Sequence, residues 1–178
     1  LQEATRAPVC ISERLLSRWQ LRAFIENGAA RIVMPDLIWT GGISETHKIA
    51  ILASAHQVPF APHDATGPVN LFACGHICFS SANAMMQEHV PSFYKGWYND
   101  FVDPNLDIRD GFLYASQEPG ISTRLKQGVK ERSDATVVAS DRAEWSAIDH
   151  WGPHAARGDA TEAEVQRLKV DRGFSEEV

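Results

Sequence analysis

A chain of 178 residues with 44% hydrophobic and 22% charged residues has the length and balance of one soluble globular domain with its own core. Its 17 basic and 23 acidic residues leave a net charge of −6, which argues against nucleic acid or a membrane surface as partner. No apolar run approaches the roughly 20 residues of a membrane span, no secretory signal is present, and three cysteines cannot all pair, so they read as reduced thiols of a cytoplasmic protein.

In chain order, residues 8–12 form a short apolar strand that ends at Glu13. Ser17 is placed to cap a helix over 18–27, with Gly28 as its stop, Trp19, Leu21, Phe24 and Ile25 as its apolar positions, and Arg18, Arg22 and Glu26 on the wet side. Residues 30–34 form a second strand, which Pro35 ends because it lacks the ladder N–H; Asp36 follows. Gly41-Gly42 makes a tight turn and Ser44 can cap a helix over 45–56. A third strand spans 58–61 and leads through Pro62 to His63, and Gly67-Pro68 opens a helix to about Phe79. A fourth strand, 84–87, ends at Glu88. Phe93, Tyr94, Trp97, Tyr98 and Phe101 then cluster, either closing the bottom of the fold or lining a pocket. Asp110-Gly111 marks a hairpin between 106–108 and 112–114, and 118–121 a second turn. Residues 135–178 are polar and read as a peripheral tail, with Trp145 and Trp151 as anchors and a capping box at Thr161–Glu164 that starts a helix over 162–170.

Four short apolar strands alternating with helices are the pattern of a parallel sheet, and this spacing is that of an α/β fold of the TIM-type (β/α) barrel, of which about four βα units are present. Catalytic groups of such barrels stand at the C-terminal ends of several strands. Glu13, Asp36, His63 and Glu88 occupy those four ends. Asp36 and His63 close successive strands, so carboxylate and imidazole can meet; the carboxylate would fix the tautomer and stabilise the protonated ring, making His63 a proton donor or acceptor near neutral pH. Glu13 is a candidate oxygen ligand for a hard cation such as Mg²⁺, or else a capping or surface glutamate. Glu88, if protonated, could hydrogen-bond a developing oxyanion, or else it pairs with Lys95 or an arginine. Cys74 and Cys78 share a helix face that His76 does not, so packing rather than metal binding is expected of them.

Pro35-Asp36, Gly41-Gly42-Ile43-Ser44-Glu45, Lys48-Ile49-Ala50, Ala61-Pro62-His63, Gly67-Pro68 and Gln87-Glu88 together resemble the enolase superfamily, in its mandelate racemase/muconate-lactonising branch. Phe101-Val102, Asp110-Gly111 and Pro119-Gly120-Ile121 resemble the exit segment of that branch, and the whole looks most like its galactonate-type acid-sugar dehydratases over roughly residues 8–130. The resemblance implies Glu13 as the third Mg²⁺ ligand, Asp36 and His63 as the dyad of barrel strands six and seven, and Glu88 as the strand-eight acid that meets the substrate carboxylate or its enediolate. It implies a lyase that removes a proton α to the carboxylate of an aldonate or aldarate and expels the β-hydroxyl. A Lys or His base with Mg²⁺ on the enediolate is the superfamily's pattern.

A complete barrel needs eight strands and about 250 residues. The expectation is therefore that residues 1–134 are the C-terminal half of the barrel domain, that the capping domain and first strands are absent, and that this piece alone is inactive. A homo-oligomer is expected of the parent. The rivals are a racemase or epimerase of the same branch and a non-catalytic half-barrel. A zinc hydrolase is more distant, since no second histidine sits at a strand end with ligand spacing.

Overall fold

The computed structural model describes residues 2–137, and a parallel arc of four rungs organises them as far as Ala135. After a 3₁₀ turn at Gln2–Ala4 come β1 (Cys10–Ile11), α1 (Arg18–Glu26), β2 (Ile32–Val33), α2 (Ile43–Ala55), α3 (Pro68–Ser80) and a one-turn α4 (Pro91–Tyr94). β1 pairs with β2 in parallel, Cys10 opposite Ile32 and Ile11 opposite Val33. Val33 bridges Phe60 and Phe60 bridges Ala84, both in parallel. With a helix between each rung and the next, the arc is part of a TIM-type (β/α) barrel rather than a closed one.

The third and fourth strands are isolated bridges, where the sequence suggested continuous runs at 58–61 and 84–87. The reason lies in Pro59 and Pro62, which have no N–H to give. Their carbonyls still accept, from Val33 N–H at 3.0 Å and Glu88 N–H at 3.1 Å. Pro35 behaves likewise. It does not end its ladder, because its carbonyl accepts from His63 N–H at 3.0 Å and the pairing continues to a parallel bridge between Asp36 and His63. The prolines leave the register intact as far as the rim where the charged residues stand.

The core lies between the arc and its helices. Leu21 and Ile25, one turn apart on α1, are buried with Val33, Ile49, Phe60 and Ile77. Burying each such side chain contributes roughly 1.5–3 kcal/mol. The other apolar positions of α1, Trp19 and Phe24, are exposed. Arg18 is not on the wet side. Its guanidinium pairs with Glu45 of α2, and its N–H donates to Glu45 Oε1 at 3.0 Å, so a carboxylate of the next helix satisfies the start of α1. Ser17 caps α1 as expected, accepting from Gln20 N–H at 3.4 Å.

Ser44 does not cap α2. The helix starts one residue before it, from Gly42 at φ +103°, a conformation that favours glycine. Thr46, fully buried, draws the first turn in by donating to Gly42 O at 3.0 Å and pairing with the Thr40 hydroxyl at 2.7 Å. Residues beyond α4 add a 3₁₀ turn at Trp97–Asp100 and the strands β3 (Val102–Asp103), β4 (Asp107–Arg109), β5 (Phe112–Tyr114) and β6 (Arg124–Leu125). β4 and β5 form the Asp110-Gly111 hairpin, both turn residues having positive φ. The tail features at Trp145, Trp151 and 161–170 lie outside the described residues.

Candidate active site

Asp36 stands where β2 gives way to the turn before α2, and it is fully buried. Its Oδ1 accepts the N–H groups of Ile38 at 2.9 Å and Trp39 at 3.2 Å, which bends the chain back over the carboxylate. Its Oδ2 faces His63 Nδ1 at 2.9 Å. A carboxylate only accepts, so Nδ1 carries the proton and donates. Thr66 Oγ1 and Asn70 Nδ2 approach the same oxygen at 3.5 Å. The second ring nitrogen of His63, Nε2, has no hydrogen bond among the described residues, and the side chain keeps 17% of its surface exposed. The indole of Trp39 lies beside it, ring centroids 5.9 Å apart. Two of the four sequence candidates thus form a dyad with one nitrogen presented outward.

Glu88 follows the fourth rung. Its Oε2 accepts Asp64 N–H at 2.8 Å, and its own N–H is held by Pro62 O. Among the described residues no ion pair involves it, so neither Lys95 nor an arginine is its partner. Glu13, just past β1, is half-buried and accepts from the Ser12 hydroxyl. Cys10 lies near enough that the Glu13 charge, after burial, pushes its thiol up. Among the described residues no group of three His, Cys, Asp or Glu side chains is placed to hold a metal ion. Glu13 offers the oxygen chemistry that Mg²⁺ prefers, but one carboxylate is not a site.

Sequence reasoning passed over a second buried carboxylate, Asp64. It is fully buried and accepts from Asn70 Nδ2 at 2.9 Å and from Tyr98 Oη at 3.0 Å. Burial pushes its carboxyl above the usual value, against the pull of donors from Asn70, Tyr98, Thr66 and Gly67. The signal in the sequence was slight: an acid directly after His63 and a lone Asn in the otherwise apolar first turn of α3. Tyr98 also decides the place of the aromatic cluster. With Leu71 and Tyr94 it packs at the rim beside Asp64, not across the opposite end of the arc. Cys74 Sγ turns to Asn70 Oδ1 and Cys78 Sγ to Gln87 Oε1, whereas His76 meets the Ser122 hydroxyl at 3.2 Å, so the three side chains do not converge.

The enolase C-terminal domain-like family matches residues 1–129. A D-galactonate dehydratase of Variovorax paradoxus is 37% identical over 132 residues, which is 71% of this chain and 35% of that protein. An enolase protein from environmental sequencing of the Sargasso Sea superposes with a TM-score of 0.69 at 38% identity, covering 75% of this chain and 35% of that one. An enolase of the mandelate racemase subgroup from Agrobacterium tumefaciens gives 0.66 at 38% identity, over 72% and 34%. The chain spans about a third of the length of the relatives it matches. The chain belongs to the enolase C-terminal domain-like family.

Proposed function

We propose that this chain carries the proton-moving half of an acid-sugar dehydratase, a carbon–oxygen lyase acting on an aldonate or aldarate. The observation that carries the reading is the Asp36–His63 dyad, with Nδ1 committed to a buried carboxylate and Nε2 turned outward. In the reaction, the proton α to the substrate carboxylate is removed, the β-hydroxyl leaves and is protonated to water, and the resulting enol becomes a 2-keto-3-deoxy acid. His63 Nε2 takes the first proton or delivers the second; Asp36 holds the ring and stabilises its cationic form. Glu88, one rung on, would meet the substrate carboxylate or its enediolate and, if protonated, hydrogen-bond the negative charge that builds there. The similarity to D-galactonate dehydratases supports this substrate class.

The same reading includes Mg²⁺ dependence, with Glu13 as one oxygen ligand. Among the described residues no cluster completes the ion's site around it. The piece alone is then inactive, and activity belongs to the whole protein. The likeness to a mandelate racemase-subgroup enolase favours a second reading, racemisation or epimerisation, which shares the proton abstraction and lacks the elimination.

The test is turnover of D-galactonate and related aldonates and aldarates by the whole protein with Mg²⁺, read as keto-acid formation. His63→Asn should lower it by about 10²–10⁴-fold, the range of a general acid–base group, and leave Mg²⁺ binding nearly unchanged. Near-normal dehydration by that variant removes the dyad from the mechanism. Exchange of the α-proton with solvent and no keto acid moves the assignment to the racemase.

A further inference from the structure

His63 and Asp64 are neighbours in the chain and serve opposite sides of the rim. His63 turns its ring to Asp36, and Asp64 gives its N–H to Glu88 Oε2 at 2.8 Å. The Glu88 N–H goes to Pro62 O at 3.1 Å, so Glu88 is tied at both main chain and side chain to the loop 62–64. That loop is in turn held by the Asp64 carboxylate. Asn70 Nδ2 reaches one oxygen at 2.9 Å, Tyr98 Oη the other at 3.0 Å, and the N–H groups of Thr66 and Gly67 also donate. Four donors use the acceptor capacity of a carboxylate. Asp64 therefore has nothing left to offer a substrate, although it sits one residue from His63 and is wholly shielded from water. A buried carboxylate is costly to keep, and here its bonds lead from the aromatic segment 91–101 to the loop that aims two rim residues.

We propose that Asp64, locked by Tyr98, is a positioning residue that sets the place of the Glu88 carboxylate beside His63. Its bearing on catalysis rests on the function proposed above; the coupling itself does not. Tyr98 is the sensitive point because it comes from outside the strand–helix arc and, among the described residues, supplies one of two side-chain donors to Asp64.

The experiment is amide hydrogen exchange by NMR on the 178-residue chain, corrected for intrinsic rates. The amide of residue 64 reports the bond to Glu88, and the amide of Ala61, bonded to Val33 O at 2.9 Å in the same strand, is the control. Tyr98→Phe deletes one oxygen and keeps the ring. It should speed exchange at residue 64 by about tenfold or more, the value of a hydrogen bond to a charged group, with Ala61 little changed. Asp64→Asn keeps one oxygen for the Asn70 amide and the Thr66 and Gly67 N–H groups and gives an N–H to the Tyr98 oxygen, so it should retain most of the protection. Equal acceleration at both amides in Tyr98→Phe means a general loss of stability and overturns the proposal. Loss of protection in Asp64→Asn overturns the hydrogen-bond lock. Neither readout needs turnover, so a protein that fails to dehydrate any sugar acid leaves the coupling standing, and an active one with no response at residue 64 refutes only the coupling.

Discussion

Asp36→Asn is the sharpest perturbation of the dyad, because the structure decides which way the new amide must face. The Asp36 carboxylate satisfies two main-chain donors, Ile38 and Trp39, with one oxygen and His63 Nδ1 with the other. An asparagine keeps only one oxygen. Turned to the two main-chain N–H groups, it points its NH₂ at His63; turned the other way, it opposes its NH₂ to both N–H groups and leaves two part-buried donors unpaired, at up to about 1–3 kcal/mol each. The first orientation therefore wins, and His63 Nδ1 must become an acceptor. A charge-assisted hydrogen bond of about 1.5–3 kcal/mol is lost from the Nδ1–H tautomer, which at 1.4 kcal/mol per decade is a shift of about 10–150-fold in tautomer ratio. Two-bond ¹⁵N–¹H correlation spectra of the neutral ring read this directly. The parent should carry its proton on Nδ1 and the variant on Nε2, so that in the variant the outward nitrogen can no longer accept a proton. A parent ring protonated on Nε2, or a variant still protonated on Nδ1, refutes the argument.

Three further outcomes follow from burial. Phe60 is fully buried at the central rung, so Phe60→Ala should cost about 3–5 kcal/mol in denaturant unfolding; a loss below about 1 kcal/mol would mean the rung is not a core position. Burial pushes the Cys78 thiol up to about 12, so at pH 8 only about one in ten thousand is thiolate. Burial raises Cys74 as well, and the charge of Asp64 adds to it. Both should resist a disulfide reagent until the chain unfolds, and rapid native labelling of Cys78 would contradict this. The Asp64 carboxyl is raised from its ordinary 3.8 by burial, so the native state holds that proton more tightly than the unfolded chain does. Its share of stability is present below pH 3.8 and lost as pH rises through the raised value. The melting temperature of Asp64→Asn relative to the parent should climb across that window and level off above it; a pH-independent difference would show that Asp64 does not titrate there.

What could be read from the chain alone was what local chemistry controls. Ser17, Gly28, Gly41-Gly42 and Gly67-Pro68 punctuate the helices, and Asp110-Gly111 makes its hairpin, because caps and turns depend on φ and on hydrogen bonds within a few residues. The meeting of Asp36 and His63 was legible too, since both close adjacent parallel strands whose register the apolar runs define. Other features needed the tertiary structure. Whether Pro35 stops a ladder depends on which neighbour needs its carbonyl, and that neighbour, His63, lies far along the chain on the next strand. Arg18 left the wet face because Glu45 of another helix stood over the start of α1. Nothing near Asp64 in the sequence marks it as buried; Asn70 and Tyr98, from two other elements, enclose it only in the folded chain. A buried charge is tolerated only where distant donors converge, and that convergence is a property of the folded chain rather than of any stretch of it.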